Sequence, residues 1–450
     1  MADDTVSVFP MVPLGRIATV KSGFAFKSKD WQESGVPVVK IANVKAGRLA
    51  MDGCSFVDET VAASASMFEL APGDILIAMT GYIGEVAKVR DEGRCLLNQR
   101  VGRFSITDED QLDRDYLFLW LTDSDTKATM EHLGYGSAQP NVSPTLIESV
   151  EIPLPPLTEQ RAIAGVLGAL DDKIEVNRKT ARVLEGIARA VFTSWFVDFD
   201  PVRRHAAPRT PAAAALPPDL AALFPKRLVD SPIGEVPEGW RVGTLGDLID
   251  TVKGRSYKSE ELVPSETALV TLKSFARGGG YRPDGLKAYA GTYKPEQVVK
   301  PGELVVSCTD VTQAAEVIGR PAIVRAAREF KTLVASLDTL IIRPRDGAVT
   351  RAFLYFLGGT EAFVAHTYAH TTGTTVLHLA KQAVPSFRFP LPPKPLVRQF
   401  DGLASPVLER LQGLADESEV LAALRDALLP KLISGEFRIA DAEKFVGRAT

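Results

Sequence analysis

Hydrophobic residues follow two different spacings along the chain, and the change from one to the other occurs twice. Residues 13–150 contain short β-rich runs separated by turn residues, a pattern typical of a mixed α+β domain. After Pro156 the apolar residues lie alternately four and three positions apart, which predicts a coiled-coil seam on a helix. The predicted fold class is therefore α+β, with two tandem, pseudo-symmetric α+β domains joined by two long helices that pair as an antiparallel coiled coil.

Individual elements can be predicted within the first α+β stretch. Residues 74–79 and 101–106 are expected strands, and the apolar run 116–121 is an expected buried helix with an echo at 353–357. Residues 36–41 form a further expected strand. Its Pro37 restricts that strand to a sheet edge or to a start after the proline, since proline donates no ladder hydrogen bond.

The two expected long helices each carry a seam of regularly spaced apolar residues. A polar residue, Asn177, lies in the first seam, where such residues commonly fix the register. Pro406 predicts a kink or a later start in the second helix, and Pro430 predicts its end. The first seam consists of Ile163, Leu167, Leu170, Ile174, Asn177, Ala181, Leu184, Ala188, Val191 and Trp195, and the second of Phe400, Ala404, Val407, Leu411, Leu414, Ser418 and Leu421.

The α+β stretches also repeat each other residue by residue. Residues 14–28 match 245–259 without a gap, and a Pro-Leu-Pro-Pro run precedes each long helix, where proline is favoured in the first turn. The expected organisation is a first domain at 1–152, a spacer helix at 153–200, an Ala/Pro-rich linker at 201–239, a second domain at 240–389, and a second spacer helix with a tail at 390–450.

Charge and cysteine content narrow the class of protein. The net charge of −4 over 450 residues is unlike that of a lone nucleic-acid binder. Residues 11–150 nevertheless carry five more acidic than basic residues, whereas residues 240–388 carry five more basic than acidic. Three widely spaced cysteines predict reduced thiols, and the lack of a long apolar run or a leader favours a cytoplasmic protein without membrane contact.

Motifs for catalysis are scarce in the sequence. It contains no phosphate-binding loop of the G-x-x-x-x-G-K-[ST] type and no aminomethyltransferase signature. The glycine run 278–280 favours a mobile loop over a cofactor cradle. His366 and His370 lie one helical turn apart, with His378 further on, so a zinc site and a set of exposed loop histidines both remain open.

Polar and basic residues cluster at matching places in the two domains and predict a DNA-binding surface. Asn and Gln suit adenine edges, Arg suits guanine, and all of them can hold phosphate. The alternative for any single residue is a solvated surface charge or, for Asn98 and Gln99, a turn-forming role. The candidates are Lys21, Lys27, Lys40, Asn43, Lys45, Thr80, Tyr82, Asn98, Gln99, Arg100, Gln139 and Asn141 in the first domain, and Lys253, Arg255, Tyr257, Lys258, Lys273, Arg277, Thr371 and Thr372 in the second.

Five motifs fall in order along the chain: IPLPPLTEQRAIA at 152–164, LDDKIE at 170–175, SWFVDFDPV at 194–202, GEVPEGW at 234–240 and LPKLISGE at 429–436. With them the chain resembles the specificity (S) subunits of Type I restriction-modification systems over essentially its whole length. The second repeat departs from the pattern, because KPLVR at 394–398 stands where LTEQR stands at 157–161. Contacts made by that motif are therefore less secure in the second half.

The resemblance implies two target-recognition domains, each reading one half of a bipartite DNA site. It implies double-stranded DNA, two adenine methyltransferase (M) subunits and restriction/translocase (R) subunits as partners. It places S-adenosylmethionine, ATP and Mg on those partners, with no cofactor, metal or catalytic residue in this chain. Two other functions remain open: a coiled-coil assembly scaffold without DNA reading, and the specificity half of a split restriction-methylation enzyme.

Overall fold

The computed structural model describes residues 8–45, 47–51, 53–90, 92–134, 141–206, 216–312 and 314–446. The chain divides into two compact units, Met1–Arg178 with Asp416–Thr450, and Lys179–Ala415. The described helices are α1 Glu59–Ser64, α2 Arg114–Thr122, α3 Ser124–Leu133, α4 Pro144–Glu148, α5 Leu157–Phe196, α6 Asp200–Ala206, α7 Pro218–Ala221, α8 Arg351–Gly358, α9 Glu361–Ala369, α10 Lys394–Ser434 and α11 Ile439–Val446. Along these described segments, no helix combines the length and the apolar character that a membrane span requires.

The first unit is built on a six-stranded sheet of order β2-β11-β8-β9-β6-β5 and a four-stranded sheet of order β10-β4-β7-β3. A short antiparallel pair, β1 with β12, joins the start of the domain to the segment that precedes α5. Its strands are β1 Met11–Pro13, β2 Ala18–Ser22, β3 Trp31–Gln32, β4 Val36–Val39, β5 Val44–Lys45, β6 Gly47–Leu49, β7 Ser55–Val57, β8 Ile75–Ala78, β9 Val86–Lys88, β10 Leu96–Leu97, β11 Val101–Ile106 and β12 Glu151–Pro153.

The second unit repeats this plan with sheets of order β16-β24-β20-β22 and β18-β17-β23-β19, and adds a small sheet of order β21-β26-β25. The pair β15–β27 stands where β1–β12 stands in the first unit. Its strands are β13 Leu228–Val229, β14 Val236–Pro237, β15 Arg241–Thr244, β16 Ile249–Lys253, β17 Thr267–Val270, β18 Lys287–Ala288, β19 Val298–Val299, β20 Leu304–Ser307, β21 Thr309–Asp310, β22 Pro321–Ile323, β23 Thr332–Ala335, β24 Thr339–Pro344, β25 Thr371–Thr372, β26 Leu377–Leu379 and β27 Arg388–Leu391.

The strands β8 and β11 and the buried helices α2 and α8 lie where the sequence predicts them. The expectation for Pro37 is wrong, because β4 pairs on both sides and contains the proline. Pro37 faces Phe56 of β7, but the parallel ladder to β10 begins only at Val38. The missing N–H of Pro37 therefore costs no hydrogen bond on the β10 side, and an inner strand can accommodate the residue.

Within the first unit, α5 and α10 pair antiparallel and complete the hydrophobic core. Asn177 donates to Ser418 at 3.4 Å, while Asp171, earlier on α5, binds Arg425, later on α10, at 2.6 Å. The seam residues of α5 and α10 belong to the same core cluster as α2. Asn177 is itself buried, and Ser418 supplies the hydrogen-bond partner that a buried polar side chain requires.

Within the second unit, the later part of α5 packs against the earlier part of α10 through aromatic rings. The ring centroids of Phe192 and Phe400 lie 5.3 Å apart, and those of Phe192 and Phe353 lie 5.2 Å apart. Phe353 belongs to α8, so the long helices and the domain share one core here as well. The predicted fold class is therefore confirmed: two α+β domains with long helices that pair within each unit.

The expected later start at Pro406 and the expected end at Pro430 are wrong, because α10 runs unbroken from Lys394 to Ser434 through both prolines. A kink at Pro406 stays a prediction. A helical proline leaves the carbonyl four residues earlier without its partner. Those earlier residues are Gly402 and Asp426, and both are exposed, so water can satisfy the freed carbonyls. The buried seam on the opposite face keeps the helix together through Pro406 and Pro430.

Two glycines allow a close approach of backbones at the same place in each unit. A Cβ atom on Gly23 would overlap the Leu97 carbonyl, and one on Gly254 would overlap the Ser336 carbonyl. Their N–H groups donate to the carbonyls of Val101 and Thr339, at 3.2 and 3.0 Å. In both domains the glycine directly after β2 or β16 thus allows the chain to pack against the turn that precedes β11 or β24.

We expect Gly254→Ala to lower the free energy of unfolding by about 1–3 kcal/mol, because the added methyl forces two backbones apart. The matched control is Gly402→Ala, at a helical glycine with no atom within 4 Å of the added methyl. That control should stabilise the chain by about 0.5–1 kcal/mol. Thermal and urea unfolding followed by circular dichroism measure both changes. Equal effects of the two variants would contradict the packing argument.

Candidate nucleic-acid interface

The turn between β10 and β11 presents the polar run at 98–100 in the first domain. Asn98 forms a parallel bridge with Phe24, and the Gln99 N–H donates to the Phe24 carbonyl at 2.9 Å. These backbone contacts leave the side chains of Gln99 and Arg100 exposed. The Asn98 side chain is half-buried, and its Oδ1 accepts from the Arg100 N–H at 3.3 Å, which favours a turn-forming role for this residue.

A second loop meets this turn and forms an open depression. Thr80 is buried, bridges Asn141, and donates through Oγ1 to Asn141 Oδ1 at 2.7 Å. Gln99 and Arg100 line the same depression. Nearby in sequence, the Tyr82 side chain is 59% exposed. The structure therefore brings together four of the sequence candidates, whereas Gln139 lies outside the described residues.

Lys40 and Asn43 do not belong to the exposed set. Asn43 is buried; its Oδ1 accepts from the Lys40 N–H at 2.9 Å, and its Nδ2 donates to the Ala50 carbonyl at 2.8 Å. Lys40 Nζ donates to Ser55 Oγ at 2.7 Å and lies 3.5 Å from the centroid of the Trp31 ring. Burial lowers the pKa of Lys40 below its ordinary value. Both residues stabilise a turn, because their polar groups are occupied within the protein.

The remaining candidates differ in how much of each side chain meets solvent. In the first domain Lys21, Lys27 and Lys45 are exposed. In the second domain Arg277 is exposed and pairs with Glu316 at 3.3 Å, and the half-buried Arg255 donates to Thr292 Oγ1 at 3.4 Å. The other exposed candidates are Lys253, Lys258, Lys273 and Thr372, and the other half-buried ones are Tyr257 and Thr371.

Asp310 organises the exposed loop of the second domain and was missed from the sequence. Its carboxylate is buried and accepts N–H groups of Thr312 at 2.7 Å, Val317 at 2.6 Å and Ile318 at 2.8 Å. Burial opposes its ionisation, but these hydrogen bonds hold the pKa of Asp310 below its ordinary value. An aspartate at the end of a short buried strand, followed two residues later by threonine, is the sequence signal of such a turn.

His366 and His370 are not exposed loop residues, which corrects that expectation for both, whereas His378 is exposed and lies in β26. His366 and His370 lie on or at the end of α9, are half-buried, and have ring centroids 4.2 Å apart. His366 Nε2 lies 2.9 Å from the Ala383 carbonyl, which occupies that ring nitrogen. Over the part of the chain that the structure describes, no group of three His, Cys, Asp or Glu side chains is placed to hold a metal ion.

Comparison with known proteins identifies a family model and several relatives that resemble this chain. Residues 8–185 match the family described as the Type I restriction modification DNA specificity domain. The specificity subunit of the Type I restriction enzyme MjaIX of Methanocaldococcus jannaschii is 25% identical over 397 residues, covering 86% of this chain and 82% of the relative. The MjaVIII specificity subunit of the same organism is 33% identical over 180 residues, covering 39% of this chain and 42% of the relative.

A solved structure agrees in fold. The crystal structure of the Type I restriction-modification system S subunit from M. genitalium superposes with a TM-score of 0.52 at 14% identity, covering 96% of this chain and 97% of that one. The class defined by the fold is thus a protein with two α+β domains and long helices that pair within each unit. The resemblance to Type I restriction-modification specificity subunits drawn from the motifs is confirmed, because residues 8–185 match the family model and both relatives are specificity subunits.

We expect Asp310→Asn to lower the free energy of unfolding by about 1–3 kcal/mol at pH 7, because an amide replaces the charged acceptor of three N–H groups. The folded pKa lies below the ordinary value, so the carboxylate contributes stability above pH 4 or so and loses it as the pH falls further. The difference between wild type and variant should therefore shrink below about pH 4. Urea unfolding across pH tests this, with the exposed Glu260→Gln as control; a difference independent of pH would contradict it.

Proposed function

We propose that the chain is the DNA sequence-recognition subunit of a Type I restriction-modification complex, with each domain reading one half of a bipartite site. One observation carries the proposal: the same exposed turn recurs in both domains. The Gln99 N–H donates to the Phe24 carbonyl at 2.9 Å, and the Leu337 N–H donates to the Arg255 carbonyl at 2.7 Å. Side chains at these turns vary while the backbone contacts persist, as expected of a surface that reads different sequences.

Exposed cations near the turns support contact with phosphate. Lys253 pairs in register with Leu340, directly after the Leu337 turn, and its side chain is exposed. Arg100 occupies the corresponding turn of the first domain. Lysine and arginine contacts to phosphate supply most of the sequence-independent affinity for DNA. The first domain is acidic overall, so basic surfaces of partner subunits supply further phosphate contacts in this proposal.

The partners in this proposal are double-stranded DNA, two adenine methyltransferase subunits and restriction/translocase subunits. Exposed apolar residues on α5 support helix docking by a partner. In the second unit, Val183 and Ile187 lie one helical turn apart and are 60% and 56% exposed. Such residues on one face of a helix are typical of a protein–protein contact.

The chain itself is proposed to be non-catalytic, with S-adenosylmethionine, ATP and Mg bound by the partner subunits. Burial raises the pKa of the Cys95 and Cys308 thiols to about 12, so neither supplies a thiolate nucleophile at neutral pH. The ring centroids of His366 and His370 lie 4.2 Å apart, and Nε2 of His366 is directed at a backbone carbonyl. This arrangement supports a structural role for His366 and His370 rather than one in catalysis.

Exchange of residues 240–388 for the equivalent domain of a relative tests whether each domain reads its half-site independently. We expect the full chain to select a bipartite motif from a random duplex library, and the exchanged chain to change one half of that motif only. Selection of no motif by the wild-type chain and its methyltransferase partner would favour an assembly scaffold without DNA reading. A change in both half-sites would contradict independent reading by the two domains.

Variants at 99 and 100 separate base reading from phosphate contact. Arg100→Ala should weaken binding to all duplexes and reduce the salt dependence by about one counterion. Gln99→Ala should cost about 1–3 kcal/mol on the selected site only. The control is Asn43→Ala, which should lower the thermal midpoint, because two internal hydrogen bonds are lost, and leave affinity per folded molecule unchanged. A Gln99→Ala chain that melts earlier and binds normally would rule out its base-reading role.

A further inference from the structure

The equivalent exposed turns of the two domains, at Gln99 and at Leu337, carry a polar side chain in one domain and an apolar side chain in the other. The turn of the first domain presents the amide of Gln99 beside the guanidinium of Arg100, and both are exposed. In the second domain the same backbone hydrogen bond holds Leu337, whose side chain is 43% exposed. An amide and an arginine read bases by hydrogen bonds, whereas an exposed leucine can only offer an apolar contact.

Two more exposed aliphatic side chains lie at the neighbouring edge of the second domain. Strands β21 and β26 pair antiparallel, with Thr309 opposite His378 and Asp310 opposite Leu377. Val311 directly follows Asp310, and Val376 directly precedes Leu377, so both valines lie just beyond the same end of this strand pair. Val311 is 61% exposed and Val376 is 37% exposed. The loop thus displays a pair of valines towards solvent.

Internal hydrogen bonds fix these aliphatic residues in their exposed positions. Thr309 Oγ1 donates to Asp338 Oδ1 at 2.7 Å, which ties the loop of Val311 to the residue after Leu337. The Cys308 N–H donates to the Asp338 carbonyl at 2.7 Å, which adds a second connection. The Asp310 carboxylate holds the following loop through three N–H groups. These bonds tie the segment of Val311 to the turn of Leu337, and both side chains are exposed.

We infer that the second domain selects an A·T base pair through apolar contact of Leu337, Val311 and Val376 with the C5-methyl group of thymine in the major groove. This inference rests on the proposed function. Thymine is the only standard base with a methyl group in that groove, and aliphatic side chains are its usual contact. The exposed Lys253, next to the Leu337 turn, is placed to bind the phosphate backbone of the same half-site. The first domain, by contrast, reads through hydrogen bonds from Gln99 and Arg100.

Deoxyuridine, which lacks only the methyl group, is the probe. The full wild-type chain first selects its motif from a random duplex library, and each thymine of the second half-site is then replaced singly by deoxyuridine. At one or more positions we expect binding to weaken about fourfold, the effect of one methyl group no longer buried. Leu337→Gln or Val311→Ser should remove that loss, and Leu337→Gln should also change the base selected there. The control Ile233→Gln, at a residue 38% exposed elsewhere in the same unit, should retain the loss of binding caused by deoxyuridine.

The outcomes separate the two claims. A wild-type chain that selects no motif even with its methyltransferase partner present contradicts the proposed function. A selected motif whose second half-site contains no A·T pair, or tolerates deoxyuridine at every thymine, overturns the inference alone. A deoxyuridine loss that persists in both Leu337→Gln and Val311→Ser overturns it as well. Loss of the first half-site preference in Leu337→Gln would equally contradict the assignment. Circular dichroism of each variant confirms that the compared molecules are folded.

Discussion

Burial of the long-helix seam is the interaction on which each unit depends. Six consecutive residues of α2 are buried, as are seven of α8, and a helix that is apolar on every side needs cover on every side. The sheets cover one side only. Leu167 and Leu428 belong to the cluster that covers α2, and Phe192 and Phe400 belong to the one around α8. Because each fully buried side chain of this size contributes about 1.5–3 kcal/mol, the domains and the helices fold together.

The start of each long helix shows how the two halves diverged without loss of this packing. Gln160 is fully buried; its Oε1 accepts from the Asp113 N–H and its Nε2 donates to the carbonyls of Gln111 and Pro155, each at 2.8 Å. Val397 takes the matching position in the second repeat and is equally buried. An apolar residue is tolerated because a pair of polar partners can be replaced by apolar groups at little cost in stability. The altered motif at 394–398 thus removes hydrogen bonds and retains the helix start.

The sequence predicted features that depend on repeated burial. The seam residues, β8, β11 and α2 each show an apolar period over several residues, and such periods follow from one face being buried. Single positions were harder to predict. Asn43 and Gln99 are both polar and follow strands, yet one is buried in a turn and the other exposed, since the difference lies in tertiary contacts. Pro406 shows the same limit, because packing of the opposite face overrides the local preference for a later helix start.

Asp310 and the exposed turns are positioned through backbone groups. This explains why the side chains of the exposed surface can differ while the domain keeps its fold. The groups that position the turns are backbone atoms: the N–H at 99 or 337 and the carbonyl at 24 or 255. These bonds do not depend on which side chain the turn carries, so glutamine and leucine occupy equivalent positions. The close approach requires glycine at 23 and 254, and that requirement falls on residues that need not touch the ligand. Stability therefore depends on backbone atoms and glycine, whereas the function proposed for the turn depends on its side chains, so substitution at the turn need not unfold the domain.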